Sequence, residues 1–119
     1  MAKKFSSNVG TKISKKEAKA WIEKYDKEVR KDKKNDTKSL FYGRDALLKI
    51  LSESGSAGIT FFLALKYNKA IKKDTVVLVL VPTTEDGKLI WPDDAIAAKS
   101  PGGAVAFDGP LPCPPYCPK

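Results

Sequence analysis

The chain of 119 residues contains no histidine, only two arginines and no cysteine before position 113. The lack of histidine removes the commonest general base and the usual activator of a serine or cysteine nucleophile, so histidine-dependent catalytic triads are excluded. It also removes a favoured zinc ligand. The spacing of the remaining residues assembles no acid/base pair and no activated nucleophile. The sequence therefore favours a protein that is not an enzyme and that carries no cofactor or metal.

Long apolar runs are also missing. The longest, at residues 76–82, is far shorter than the roughly 20 residues that span a bilayer. The first residues are basic but lack the apolar stretch of a signal peptide. The sequence predicts no membrane association and a cytoplasmic location.

Positive charge is concentrated in the first third of the chain. Residues 1–38 hold 13 Lys or Arg against 6 Asp or Glu, and residues 39–119 hold 9 against 8, so the net charge of +8 divides into +7 and +1. Such a field attracts nucleic acid. However, only Arg30 and Arg44 supply the guanidinium forks that clamp phosphates or read guanine. A solvent-exposed basic surface is the favoured interpretation, and weak nucleic-acid binding through the basic N-terminal helix is an alternative.

The composition, 42% hydrophobic and 30% charged, fits a single small globular domain. We divide the chain into a flexible N-terminus at residues 1–13, one α+β domain at residues 14–99, and a Pro/Gly-rich tail with the cysteine pair at residues 100–119. Six of the eight prolines lie at or beyond position 101. This composition predicts an irregular tail.

Two helices are predicted in the first half of the domain. Ser14 and Glu17 form a capping box, which indicates that a helix begins here. The apolar residues that follow have the spacing of one buried helical stripe: Ala18, Trp21, Ile22, Tyr25 and Val29. Residues 31–38 contain no apolar side chain and predict a solvated link. A second helix is predicted from about Gly43 to Ser54, with Gly55 ending it.

Residues 59–66 and 75–82 are rich in β-branched and aromatic side chains and predict two strands. A third strand at residues 89–91 follows the turn-forming pair Asp86 and Gly87. We therefore expect an α+β fold in which two N-terminal helices pack on a three-stranded antiparallel meander, with an irregular Pro-rich C-terminal tail. Because residues 76–81 are apolar throughout, both sheet faces should be covered. Two helices cover one face well, so the tail or a second copy must cover the other.

The tail carries the most unusual motif, Cys113-Pro-Pro-Tyr-Cys117. Two thiols at this spacing predict a small-loop disulfide, a soft-metal site shared with a second subunit, or thiol exchange with a partner. Docking of the proline-rich segment to a protein partner is a further interpretation, and an inert structural tail is the simplest. Residues 92–99, including Asp93 and Asp94, predict a short helix whose acidic residues favour its N-terminus.

Tyr42, Gly43 and Arg44 form a second candidate site, where an extended segment turns into the second helix. Helix N-termini bind anions, so the backbone amides and the Arg44 side chain are candidate ligands for a small anion. The simpler interpretation is that Gly43 permits the turn, the aromatic side chain fills the core and Arg44 pairs with Asp45 or Asp74.

The chain resembles a group of small bacterial proteins of uncharacterised function. The resemblance lies in Tyr25, in residues 40–51, in the strand at residues 76–82 and in the ending Cys113-Pro-Pro-Tyr-Cys117, in that order along the chain. The resemblance spans most of residues 14–117. It implies helices first, an apolar β-hairpin second and a Cys-Pro-Pro-x-Cys C-terminus belonging to the domain, and it transfers no catalytic residue.

Together these patterns favour a small non-enzymatic binding or interaction protein that forms a homodimer through a sheet face. The alternatives are a thiol-redox or metal-binding protein that uses Cys113 and Cys117, and weak binding of nucleic acid.

Overall fold

A computed structural model describes residues 4–91 and 110–119. Its elements follow in the order α1 (Lys15–Glu28), β1 (Ser39–Phe41), α2 (Arg44–Leu51), β2 (Gly58–Asn68), β3 (Lys73–Thr83) and β4 (Leu111–Cys113). The strands form two separate antiparallel sheets, β1 with β4 and β2 with β3. The α+β class is confirmed, and the three-stranded meander is wrong.

Helix α1 begins at the predicted capping box. The Ser14 hydroxyl accepts a hydrogen bond from the Glu17 amide at 3.1 Å, as the sequence indicates. The predicted burial of its apolar stripe is wrong, because α1 has no buried residue. Spacing along a helix shows which side chains share a face, whereas burial of that face requires a partner surface at the right distance.

Strands β2 and β3 form a regular hairpin that is longer than predicted. Its register runs from Gly58 opposite Thr83 to Asn68 opposite Lys73 without a bulge. The Asn68 side chain accepts a hydrogen bond from the Ala70 amide at 2.9 Å, which stabilises the tight turn at the hairpin tip. Within the described ranges, no strand pairs with the outer edge of β2.

The predicted third strand at residues 89–91 is reduced to one bridge between Thr83 and Leu89. The Ile90 amide donates to the Pro82 carbonyl at 2.9 Å, but Pro82 has no amide hydrogen to return the second bond of an antiparallel pair. The turn itself forms as predicted, with Gly87 at φ +84°. The ring of Phe5 lies over Gly87, where a Cβ atom would be 2.6 Å from Phe5 Cε1.

The C-terminal segment is not irregular throughout, because residues 111–113 form β4. It pairs antiparallel with β1, with Leu40 opposite Pro112. The β1 segment in turn lies along the outer edge of β3, where the Thr37 hydroxyl donates to the Val76 carbonyl at 2.8 Å and the Tyr42 hydroxyl donates to the Leu78 carbonyl. Side-chain hydrogen bonds therefore connect the two sheets.

The core lies at the end of the hairpin remote from its tip. Helix α2 packs against β2 and β3 there. The fully buried side chains of this core are those of Ile50, Leu80, Val81 and Pro82. The predicted second helix is thus confirmed in position and is shorter than expected, since it ends at Leu51.

Within residues 4–91 and 110–119, no helix combines the length and apolar character that crossing a membrane requires. The predicted short helix at residues 92–99, with Asp93 and Asp94, lies outside the described residues, as do the first ten residues of the tail, 100–109.

Candidate functional site

Two rows of large apolar side chains are exposed, and members of both rows line one groove. We call them together the apolar surface. They belong to α1 and to β2: Trp21, Ile22, Tyr25 and Val29, and Phe61, Leu63, Leu65 and Tyr67. Side chains at odd positions of β2 share one face because successive side chains alternate across a strand. The α1 members have the spacing of one helix face.

The degree of exposure separates this surface from ordinary scattered apolar residues. Leu63 and Leu65 are 80% and 70% exposed, and Trp21 is 58% exposed. Single exposed apolar residues need no explanation, but a contiguous patch of this size marks an interaction surface. The two rows therefore form the first candidate site.

The rows meet at a groove between α1 and the hairpin. Tyr25, Val29 and Leu65 all line this groove, which has a volume of about 250 Å³. The Tyr25 hydroxyl donates to the Thr37 carbonyl at 3.4 Å, a weak bond at that distance. Helix α1 thus lies beside the sheet without packing tightly on it, which keeps its apolar face accessible.

A polar network, and not apolar packing, holds the C-terminal end of α1. Arg30 is the centre of this network, and only 6% of its surface is exposed. Its guanidinium donates to the carbonyls of Asp36 and Lys33, both at 2.8 Å, and pairs with the Asp26 carboxylate. The predicted solvated link at residues 31–38 is therefore an ordered loop.

Lys73 at the start of β3 completes the network. Its ammonium lies 3.0 Å from Asp36 Oδ1 and 3.5 Å from Asp32 Oδ2. The other Asp36 oxygen accepts hydrogen bonds from the backbone amides of Lys31 and Asp32 at 3.2 and 2.9 Å. This ties the loop after α1 to the hairpin.

The same contacts shift the pKa values of the charged groups. The hydrogen bond from Arg30 lowers the pKa of Asp26, and that from the Asn35 side chain lowers the pKa of Asp32. The Asp32 amide and then Lys73 lower the pKa of Asp36. The hydrogen bond to Asp36 raises the pKa of Lys73. All four groups stay ionised near neutral pH, so the network remains intact there.

A second, larger cavity of about 640 Å³ lies on the other side of residues 34–37. One wall is made of tail prolines and the other of the hairpin tip, residues 66–71. We call it the proline cleft. Sequence reasoning predicts the pairing of Asp26 with Arg30, four residues apart on α1, which the structure confirms. It missed the link from Lys73 to the loop after α1 and the proline cleft, because each depends on segments that are far apart in the chain.

The structure does not bring Tyr42, Gly43 and Arg44 into either cavity. The Tyr42 hydroxyl bonds to β3, Gly43 is the N-cap of α2 without a side-chain cap bond, and Arg44 is exposed. Of the described acidic residues, none forms an ion pair with Arg44, so the pairing expected with Asp45 or Asp74 is absent. Anion binding at these residues stays a prediction.

Cys113 and Cys117 are joined by a disulfide. Cys113 is 3% exposed at the end of β4, whereas Cys117 is exposed. The Cys113 carbonyl accepts a hydrogen bond from the Lys38 amide at 2.6 Å, and the Pro112 carbonyl accepts one from the Tyr116 amide at 2.8 Å. The pair thus holds the tail against β1. Both sulfurs are engaged with each other, and no cluster of metal-ligating side chains occurs in the described part of the chain.

No protein-family model, curated protein or solved structure matches the chain. The site is therefore interpreted from its own geometry.

Proposed function

We propose that this protein is a non-enzymatic interaction protein that self-associates, with the apolar surface of one copy packing against the same surface of a second copy. The observation that carries the proposal is the exposure of Leu63 and Leu65 beside the open face of α1. Apolar area left in water costs about 25 cal/mol per Å², so burial of this surface favours association.

The size of the surface fits a dimer contact. The eight aromatic and aliphatic residues of this surface are between 38% and 80% exposed, and side chains of this number and exposure present on the order of 700 Å². A stable interface buries about 800 Å² per partner. In a two-fold contact each copy contributes the same patch, so one surface of this size is sufficient.

The charge of the surface also favours a second copy over an acidic partner. The chain carries a net charge of +8, but α1 holds five lysines against four acidic residues, and β2 holds only Lys66. Two such surfaces meet with little repulsion at short range. An acidic partner would need a basic surface, which these two elements do not supply.

The experiment compares the wild-type chain with Leu63→Lys by size-exclusion chromatography with light scattering over a range of concentrations. We expect a wild-type dimer and a variant that dissociates at least about a hundredfold more readily, because each two-fold contact loses two buried leucines. Leu63 is largely exposed in the single chain, so its replacement leaves the monomer folded.

Leu48→Lys is the matched control, since Leu48 is 54% exposed and lies on α2, which contributes no residue to the apolar surface. It should dimerise like the wild type. A monodisperse wild-type monomer at high micromolar concentration, or equal loss of the dimer in both variants, would overturn the proposal.

A further inference from the structure

The proline cleft has two walls of different chemistry. Its tail wall consists of Pro110, Pro112, Pro114 and Pro115, and the floor includes Leu40 and Val77. Prolines have no amide hydrogen, so this wall donates no backbone hydrogen bond. This half of the cleft is suited to an apolar body.

The opposite half is cationic. Lys34, Lys66 and Lys69 line it, and no acidic residue does so among the described residues. The nearest carboxylates of the loop, Asp32 and Asp36, are already engaged by Lys73. Lys34 and Lys69 form no ion pair within the described part of the chain. Their positive charge is therefore available to a bound anion.

The cleft is formed before any ligand arrives. Pairing of β4 with β1 and the disulfide at Cys113 fix the proline wall. The register of β2 and β3 fixes the hairpin tip. Its volume of about 640 Å³ falls within the roughly 300–1,000 Å³ of small-molecule sites, which combine an apolar lining with a few polar groups.

We propose that the proline cleft binds a small amphipathic carboxylate, with its apolar body against the tail prolines and its carboxylate between Lys34 and Lys69. Lysine ammonium groups are point charges on flexible side chains, so they bind a carboxylate without requiring a fixed bidentate geometry. Among the described residues, Tyr67 alone belongs both to the lining of this site and to the apolar surface that self-association uses.

The test is an NMR titration of the ¹⁵N-labelled full chain with 2-naphthoate. We expect saturable shifts of the amides at residues 34–37 and 66–71 and of Cys113. The cationic analogue 2-naphthylmethylammonium should bind at least about tenfold more weakly, because the three lysines repel it. Lys34→Glu and Lys69→Glu should each weaken naphthoate binding by about three- to tenfold.

Lys49→Glu is the matched control, because it makes the same charge change on α2, outside the cleft. It should leave the affinity within about twofold of the wild type. The proposal is overturned by no saturable shift, by equal affinity for the cationic analogue, or by shifts centred on Phe61, Leu63 and Leu65. The last outcome would place naphthoate on the apolar surface instead, without bearing on whether that surface dimerises.

Discussion

The open end and the middle of the β2–β3 hairpin are similarly apolar in sequence and contain side chains that are very differently buried. At the open end, which α2 covers, Leu80 and Val81 are fully buried. In the middle of β2, Leu63 and Leu65 are 80% and 70% exposed, although Leu65 lines a groove together with residues of α1. Helix α2 contacts the sheet through Ile50, whereas α1 is held by the Arg30 network. Apolar composition therefore indicates that a surface will be buried, without showing whether the covering surface comes from the same chain or from another.

The sharpest test truncates one leucine in each of these two regions. Leu80→Ala should lower the free energy of unfolding by about 2–5 kcal/mol, because it leaves a cavity in a fully packed core. Leu63→Ala should change the free energy of unfolding of the monomer by less than about 0.5 kcal/mol. Urea unfolding at a concentration where the chain is monomeric measures both.

Raising the protein concentration sharpens the result further. The cost of Leu63→Ala should then grow, since burial in a dimer stabilises the folded chain by mass action. Equal costs for the two variants in dilute solution would show that both regions belong to one core, and the contrast between them would fail.

A smaller effect is expected where α1 is attached. Arg30→Met should cost about 1–2 kcal/mol, because the carbonyls of Lys33 and Asp36 lose their donor. Hydrogen exchange should accelerate in α1 and in residues 31–37, and remain unchanged in the core end of the hairpin.

Arg44→Met is its control, since Arg44 is exposed and forms no ion pair with a described residue. If Arg30→Met left exchange in α1 unchanged, apolar contacts would have to hold α1, and its face would not be open.

The smallest effect is expected from pH, and it should again be confined to the α1 end. The pKa values of Asp26, Asp32 and Asp36 lie below their ordinary value of 3.8. Their contribution to stability is therefore fully present above that pH and is lost as the pH falls through the lowered values. The raised pKa of Lys73 implies a matching loss at high pH, above its ordinary value of 10.5.

Urea midpoints measured between pH 5 and pH 2 check this expectation. Asp36→Asn should flatten part of the acid dependence, because it removes one of the shifted carboxylates. Glu85→Gln, at an exposed acidic residue outside the network, should leave the dependence as it is. An identical acid profile in all three chains would mean that the network contributes nothing to the pH response.

Parts of the fold that rest on neighbouring residues were predictable. The Ser14 cap, the start of α2 at Gly43 and the Gly87 turn depend on groups within a few positions of each other. The two long strands were also recognisable, because β-branched and aromatic residues fit a pleated surface.

The errors share a different cause. The third strand failed because Pro82 lacks the amide that its partner needed, a detail that matters only once the register is known. The pairing of Leu40 with Pro112 joins two three-residue strands that lie 72 positions apart in the chain, and strands so short carry no periodic signal. The proline cleft depends on that pairing and was therefore invisible as well.

By itself, the sequence determined the local elements, the concentration of charge before residue 39 and the presence of more apolar surface than two helices cover. Hydrogen bonding and side-chain spacing over a few residues are sufficient for these. Only the tertiary structure decided that α2 packs on the hairpin while the apolar face of α1 stays exposed. It also decided that the C-terminal strand pairs with β1 and lines a cleft. Those outcomes depend on distances between segments that lie far apart in the chain, which no local pattern encodes.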